Sequence, residues 1–592
     1  MSCNSDDHKY FRSKDCAIVA GSPAILRLFL QKLTYYYVFQ RDTMCSPNPW
    51  IFTFLFATFG IAFHLVIRPF EVDYQILRFF CVYILVWAIF VGVYHQYCDF
   101  SVVAAAAWAS LATLCFNTGL ALSLCVYRAF FHRLKGYPGP FAARLSKVYA
   151  FSLQWKNFQY FSEQIDLRQK YGDYVRTGPR EITIFHPSAV PLIYGPQSPC
   201  KKSAWYHQVS RHDNETSINT TRDPGSHRLR RRAWDRGLSL KALTTYEPHV
   251  NFKSNVLVRQ LKSQVNQPLN IAQWTMFYSF DVMGLVGFGE DFNQLESGLE
   301  HYAIRGVHDQ IFMIGLLNQI PWLSYPLNAL QPLSGGFGLF KIYCNNMKYQ
   351  KLNDDAPQDV ISWLLKAQYE NDRSAPPTAK ALDEDGNVLI LAGSDTTGNT
   401  LACVLHYLVA NKPVYKKLQQ QLDEIFPNRE RSYEYAEVRR LSYLDAILKE
   451  TMRLKPAVPG GTPRVTPPEG LQIGDTWIPG DINVLVPQYA LQRDDRFFHR
   501  AAEFLPERWL EQRGNLNLDE RAYFPFQIGP RGCVGKEFAM MSMRIFITHI
   551  AMNFDIEFAP GEDGSEFDAC ARDYLAIDVG PLYLVLSERT PL

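Results

Sequence analysis

The residues with the most chemical promise lie near the C-terminus, in Phe526-Gln527-Ile528-Gly529-Pro530-Arg531-Gly532-Cys533-Val534-Gly535, ahead of a helix-like run from Lys536 to Phe554. A lone cysteine in an apolar neighbourhood is usually inert packing. Three features point elsewhere here. Gly529, Gly532 and Gly535 let the backbone curl tightly and bring amide N–H groups to the sulfur. The following helix aims its positive end at Cys533, which favours thiolate over thiol. Arg531, two residues away, can hold an anionic group lying over the loop. A thiolate on such a loop is what an axial haem ligand requires.

A second group is Ala392-Gly393-Ser394-Asp395-Thr396-Thr397, inside an apolar helix pattern of about Val388 to Leu408. Glycine and hydroxyl side chains weaken a helix interior, so a local bulge is expected here, opening a groove for dioxygen and water. Asp395 and Thr396 are then an acid and an alcohol able to relay protons. The competing reading is a helix with one polar exposed face. The apolar flanks Leu389, Ile390, Leu391 and Leu401, Ala402, Val404 speak against it.

Glu450 and Arg453 stand three apart on a helix pattern from Tyr443 to Leu454 and share a face. By themselves they amount to a surface ion pair. Phe504-Leu505-Pro506-Glu507-Arg508-Trp509 follows some fifty residues on.

The elements that must position these groups are mostly helical. Apolar spacing from about 227 to 330 is largely that of helices, without βαβ alternation or internal repeats. Asp173 to Phe185 alternates and reads as a small hairpin, and Leu471 to Pro487 is strand-rich. His227-Arg228-Leu229-Arg230-Arg231-Arg232-Ala233-Trp234 is a basic helical turn, read either as a solvated face or as a patch for an acidic partner. Gly335-Gly336-Phe337-Gly338 is too weak for a nucleotide loop.

Of the 592 residues, 47% are hydrophobic and 20% charged, which excludes a disordered chain. The net charge of +2 gives no reason to expect a nucleic-acid partner. The twelve cysteines form no C-x-x-C pair and suit free thiols better than a disulfide framework.

Residues 1–49 form a mixed polar leader without a functional reading. Trp50 to Val66, Ile76 to Tyr94 and Val102 to Tyr127 are apolar runs near or above membrane-spanning length. They make 50–127 a membrane anchor of two or three transmembrane helices. Gln96 to Ser101 lacks Lys and Arg, whereas Arg128, Arg133 and Lys135 follow the third run, so the positive-inside rule puts the remainder in the cytosol. Three spans would leave the basic leader on the lumenal side, which the same rule disfavours. Residues 128–140, ending in Tyr137-Pro138-Gly139-Pro140, are a basic, proline-stiffened hinge, and 141–592 the catalytic body.

The stretch at Cys533 matches F-x-x-G-x-R-x-C-x-G and resembles the cysteine-ligand loop of cytochromes P450. The Asp395 stretch matches that family's [AG]-G-x-[DE]-T-[TS] signature, and E-x-x-R followed by Phe504–Trp509 occurs in the family's order. The resemblance spans roughly 137 to 590. It implies a mainly α fold with small β-sheets, a P450 fold preceded by N-terminal transmembrane helices. It implies haem b on Cys533, with Phe526, Gly529 and Gly535 shaping the loop beside it. It implies Asp395 and Thr396 as the proton route, and His227, Arg231, Arg464 and Arg531 on the haem propionates. His227 departs from the family's usual tryptophan, and Ser542 stands where an acid or amide is common. Glu450, Arg453 and Arg508 would form a buried structural network. The expected activity is insertion of one oxygen atom from O2 into a lipophilic substrate, a secondary metabolite as in similar membrane-bound fungal enzymes. Candidate pocket walls are the loop 200–220, Phe312 to Tyr325, Leu389 to Gly393, Val458 to Gly461 and Tyr574 to Ile577. No flavin or nicotinamide fingerprint follows, so electrons from NADPH are expected through a separate cytochrome P450 reductase, with cytochrome b5 as a second donor. The expected location is the endoplasmic reticulum membrane, the haem domain facing the cytosol. Two other readings are a P450-fold isomerase or dehydratase and a non-catalytic membrane haem sensor; the intact acid–alcohol pair argues against both.

Overall fold

The computed structural model describes residues 48–592 except 69–74, 209–211, 324–334, 352–357, 428–434, 512, 513, 515, 517 and 590–592. The leader up to residue 47 therefore lies outside the described residues, as do the last two residues of the expected wall segment Phe312 to Tyr325. The chain divides into two compact units, one ending at Tyr127 and the other starting at Arg128.

The first unit is built from α1 (Pro49–Ile67), α2 (Ile76–Tyr97) and α3 (Val102–Val126). Asn48 caps α1 through its side chain to the Trp50 N–H at 3.0 Å, and Ser101 caps α3 to Ala104 N–H at 3.2 Å. All three are long and apolar enough to cross a bilayer, so the first run is a full-length helix. Their outer faces carry Phe54, Leu55, Phe80, Leu85 and Leu114, all exposed. Contacts between α1 and α3 ascend together. Phe52 meets Trp108 edge-on at 5.1 Å, Gly60 lies against the Phe116 backbone, Gly119 against that of Ala57, and His64 Nδ1 is 2.7 Å from Ser123 Oγ. The two helices are thus parallel, with α2 running back alongside them, its Phe79 and Phe90 against Phe63 and Phe56 of α1. Gly60 and Gly119 allow backbone approach where larger residues would hold the helices apart. The expectation of free thiols throughout fails at Cys98, between α2 and α3, which is disulfide-bonded.

In the second unit, the helices that matter for the site are α4 (Pro224–Gly237), α5 (Leu240–Lys262), α6 (Ile271–Phe288), α7 (Tyr302–Leu317), α8 (Gly335–Gln350), α9 (Ala379–Ala410), α10 (Lys412–Ile425), α11 (Ser442–Leu454) and α12 (Lys536–Asn553). The glycine cluster at 335–338 thus opens a helix. A fourth helix of membrane-spanning composition, α9, is the core of this unit, with 72% of its apolar window buried. It packs along α6, where Gly393 faces Met283 and Gly398 faces Met276. A Cβ at Gly393 would sit 2.7 Å from Met283 Cε, and one at Gly398 2.5 Å from Met276 Sδ. The expected bulge at Gly393 does not form: α9 is regular α-helix throughout. The glycines serve close packing, and the Thr396 and Thr400 hydroxyls bond back along the helix to Ala392 O and Thr396 O.

A five-stranded sheet has the order β1-β2-β8-β5-β3, built from β1 (Tyr174–Gly178), β2 (Glu181–Ile184), β3 (Lys201–Lys202), β5 (Arg464–Val465) and β8 (Asn483–Leu485). The hairpin expected in Asp173–Phe185 is β1–β2. A three-stranded sheet joins β4 (Pro268–Asn270), β12 (Tyr583–Glu588) and β9 (Phe554–Phe558), and two hairpins pair β6 (Leu471–Ile473) with β7 (Thr476–Ile478) and β10 (Arg572–Asp573) with β11 (Ile577–Asp578).

Candidate active site

The cysteine loop is closed by its own backbone. Cys533 N–H donates to Phe526 O at 2.8 Å, and Gly532 N–H to Gly529 O at 3.0 Å. Gly529 has φ of +72°, and a Cβ there would lie 2.7 Å from the Gly195 carbonyl carbon. A side chain at 529 is therefore excluded twice, by conformation and by space. Gly535 caps α12, and a Cβ on it would stand 3.9 Å from Cys533 Sγ. Cys533 lies deep in the body, yet its side chain is open, so the sulfur faces an internal space rather than packed protein. Burial raises its thiol above the ordinary value; the Gly535 and Lys536 amides, Arg231 and Lys536 pull the other way and do not prevail. The expected thiolate is thus not reached through the helix terminus alone. A cation on the sulfur supplies what is missing.

Cations gather beside the loop. Lys202 and Arg464 are direct partners across the antiparallel β3–β5 pair, and both are buried. Arg464 Nη1 donates to Tyr206 OH at 2.8 Å, and Lys202 Nζ to Asn219 O at 2.6 Å. Burial, Arg531, Arg464 and Arg230 push the Lys202 amine well down. Arg531 Nη1 is buried without a hydrogen-bond partner, and Arg531 is itself lowered by burial and by Arg464. His227 is buried on α4, and burial followed by Lys202, Arg531, Arg231 and Arg230 lowers it to about 3. At neutral pH it is a hydrogen-bond donor without charge. So many cations in mutual repulsion suit an anion with several carboxylate oxygens. The residues present therefore fit haem: a sulfur for the iron and an unpaired guanidinium nitrogen among cations for the propionates. Sequence reasoning singles out neither Lys202 nor Tyr206. The first lies in a two-residue strand whose partner is far along the chain.

Arg231 takes a different place from Arg464 and Arg531. Its Nη1 donates to Gly532 O and its Nε to Asp235 Oδ1, both at 2.7 Å, tying α4 to the cysteine loop. The proposed basic patch loses a member, because Arg230 is buried and paired to Asp385 Oδ2 at 2.7 Å. Arg228 and Arg232 are exposed. The buried stripe His227, Arg230, Ala233, Trp234 and Gly237 follows helical spacing, which a helical wheel would have revealed.

On α9, Thr396 Oγ1 donates to Ala392 O at 2.8 Å. Asp395 Oδ1 makes no hydrogen bond but lies 3.5 Å from His308 Nε2 on α7. Acid and alcohol are neighbours in sequence, yet their side chains diverge by roughly 100° around the helix. The structure does not join them directly.

Glu450, Arg453 and Arg508 are all fully buried. Arg453 reaches Glu450 through Nε and Nη2, both at 2.9 Å, and Arg508 Nε lies 2.9 Å from Glu450 Oε1. Trp509 Nε1 and Leu505 N–H also donate to Glu450, at 2.8 and 3.0 Å. The spare guanidinium N–H groups go to carbonyls: Gln492, Ala501 and Glu503 for Arg453, His499 and Arg500 for Arg508. One carboxylate holds two arginines, and backbone oxygens accept the remaining donors.

Several expected wall segments meet. Phe158 lies 4.8 Å from the Phe312 ring of α7 and 5.3 Å from that of Tyr574. Trp205 Nε1 donates to Asn318 Oδ1 at 2.8 Å, joining the 200–220 loop to the end of α7. Ile577 N–H donates to Ala457 O at 2.8 Å, beside Val458–Gly461.

Comparison with known proteins agrees with this geometry. The family described as "Cytochrome P450" matches residues 144–571. "Cytochrome P450 monooxygenase orf5" of Eupenicillium brefeldianum is 40% identical over 80% of this chain and 94% of its own length. "Cytochrome P450 monooxygenase FCK2" of Fusarium pseudograminearum is 36% identical over 81% of this chain and 87% of its own. "Tryprostatin B 6-hydroxylase" of Aspergillus fumigatus is 32% identical over 81% and 85%. Among solved structures, the cytochrome P450DA heme domain superposes with a TM-score of 0.63 at 17% identity, over 77% of this chain and 98% of that one, a likeness of fold. With its cysteine loop, its buried Glu-Arg-Arg cluster and these relatives, the chain belongs to the cytochrome P450 family and stands with its fungal monooxygenases.

Proposed function

We propose that the chain is a membrane-anchored haem-thiolate enzyme that inserts one atom of O2 into a lipophilic secondary metabolite, with electrons from NADPH passed on by a separate reductase. The observation that carries this reading is the cluster of buried Lys202 and Arg464 with the buried, unpaired Nη1 of Arg531 beside an open Cys533 sulfur. When bound, haem supplies dioxygen activation and electron storage.

The chain's own residues do the rest. Cys533 would hold the iron, its sulfur steadied by the Gly535 and Lys536 amides. Arg464, Arg531 and Lys202, with His227 as a neutral donor, would neutralise and orient the propionates. Arg231 would keep α4 against the loop, and Phe526 and Gly529 its shape. Thr396 Oγ1 would pass a proton toward the reacting oxygen after leaving Ala392 O, with Asp395 as the acid behind it. Aromatic side chains such as Phe158, Phe312 and Tyr574 favour an apolar substrate.

Arg228 and Arg232 stand exposed on α4, the helix whose Arg231 touches the cysteine loop. They offer a basic face to an acidic redox partner, NADPH–cytochrome P450 reductase, with cytochrome b5 as a second donor. The anchor reads as a three-span bundle of the endoplasmic reticulum membrane. Arg68 ends α1 and Arg78 opens α2 at the end of the bundle where the chain leaves α3 for the basic segment with Arg128, Arg133 and Lys135, and the positive-inside rule assigns that end to the cytosol. The disulfide at Cys98 fits an oxidising lumen at the other end.

The test is metabolite comparison between strains with and without the gene, then turnover of the accumulated precursor in microsomes under 18O2. Incorporation of one labelled atom is expected. Product carrying no label would overturn the monooxygenase reading.

A further inference from the structure

His308 belongs to no motif. It lies on α7 with Nδ1 2.5 Å from Glu300 Oε1 and Nε2 3.5 Å from Asp395 Oδ1 of α9. Phe280 of α6 packs edge-on against its ring, centroids 5.8 Å apart, and fixes the plane of the imidazole. Glu300, from the segment before α7, has Arg305 Nε at 3.9 Å. Asp395 comes from α9. Asp578 of β11 feels both His308 and Asp395, with Arg572 of β10 behind it. Burial alone would lower the imidazole, but the polar contacts to Asp395 and Glu300 overcome this and carry it to about 10. The ring is therefore an imidazolium at neutral pH.

We infer that His308 is a positioning residue for proton delivery: bridged between Glu300 and Asp395, it sets the direction of the Asp395 carboxyl and couples helix α7 to the acid–alcohol pair on α9. This rests on the reading of Asp395 and Thr396 as the proton route. Thr396 turns its hydroxyl to Ala392 O while Asp395 turns its carboxyl to His308. The two cooperate only if the orientation of Asp395 is controlled, and among the described residues His308 is the cation in contact with its side chain. Helix α7 also carries Phe312 of the candidate substrate wall. A substrate that moves this helix would move the cation that holds the acid.

The test uses the full-length, haem-loaded chain in lipid nanodiscs with reductase, as His308→Gln, His308→Lys, Asp395→Asn and the double variant His308→Gln/Asp395→Asn. All are expected to keep the wild-type spectrum of the reduced carbon monoxide complex. Product formed per NADPH should fall about tenfold in His308→Gln and in Asp395→Asn, the low end for losing a close charge pair. The double variant should be no worse than Asp395→Asn, since residues acting through one contact are not additive. His308→Lys, which keeps the charge, should recover most of the loss. Amide hydrogen exchange across α7, read without turnover, should quicken several-fold in His308→Gln and equally in Asp395→Asn. Wild-type coupling in His308→Gln beside an impaired Asp395→Asn overturns the inference alone. So does a double variant whose loss is the product of the two single losses. Wild-type coupling in Asp395→Asn overturns the proton-route reading and the inference with it.

Discussion

Lys202 and Arg464 occupy one register position of the β3–β5 ladder, two buried cations facing each other across antiparallel strands. Like charges so placed repel, and the arrangement becomes favourable once an anion lies between them. Lys202→Met should therefore act with opposite sign on two forms of the protein. Haem-free protein is expected to melt higher, by about 1 kcal/mol of added stability. Haem-loaded protein should release its cofactor faster to a competing apoprotein. Equal effects on both forms would remove Lys202 from the propionate site.

Cys533→Ser should abolish the red-shifted Soret band of the reduced carbon monoxide complex while leaving the fold intact. The serine fits the same loop, because Phe526 O and Cys533 N close it through backbone atoms. An unchanged band would exclude Cys533 as the ligand.

Thr396→Ala removes the hydroxyl bonded to Ala392 O but neither the backbone of α9 nor the packing of Gly393 on Met283. The carbon monoxide band should persist, while hydrogen peroxide per NADPH rises and product falls by roughly a hundredfold, the low end for a general acid–base group. Unaltered product yield would show that Thr396 carries no proton.

Glu450→Gln leaves Arg453 and Arg508 buried without their counter-ion. The expected cost is about 3–5 kcal/mol, enough to leave little haem-loaded protein in the membrane fraction. Normal haem content would contradict a buried ionic cluster.

The pH dependence of stability should show Asp573. Burial raises this carboxyl from 3.8 to about 6, against the Leu575 N–H that lowers it. A folded value above the unfolded one favours folding with the proton on. That contribution is complete below about pH 4 and is lost as pH rises through 6. Asp573→Asn should thus raise the melting temperature at pH 7.5, by up to roughly 3 kcal/mol of stability, and give no gain at pH 4. Equal gains at both pH values would refute the assignment.

What the chain reveals before folding is what sits close together in it. The Cys533 loop is closed by contacts within eight residues, and Glu450 with Arg453 lies on one turn of α11, so both read directly. The partner of Glu450 at Arg508 needs the family resemblance, because nothing local says which distant arginine will arrive. The basic turn of α4 deceives by composition: Arg230 faces inward to Asp385, far away in sequence. At Gly393 the right residues suggest the wrong consequence, since only the facing Met283 shows that the glycine makes room for a neighbour. His308 and Lys202 stay hidden for the same reason. Each takes its meaning from partners supplied by another element.

Helices α1 and α3 ascend side by side, from Phe52 against Trp108 to His64 against Ser123. Whatever compartment receives Arg128 at the exit of α3, Asn48 at the entrance of α1 must open into the other. Under the topology proposed above, a tag joined ahead of α1 is expected to meet glycosyltransferases and oxidising chemistry, and one joined behind Glu588 to meet neither.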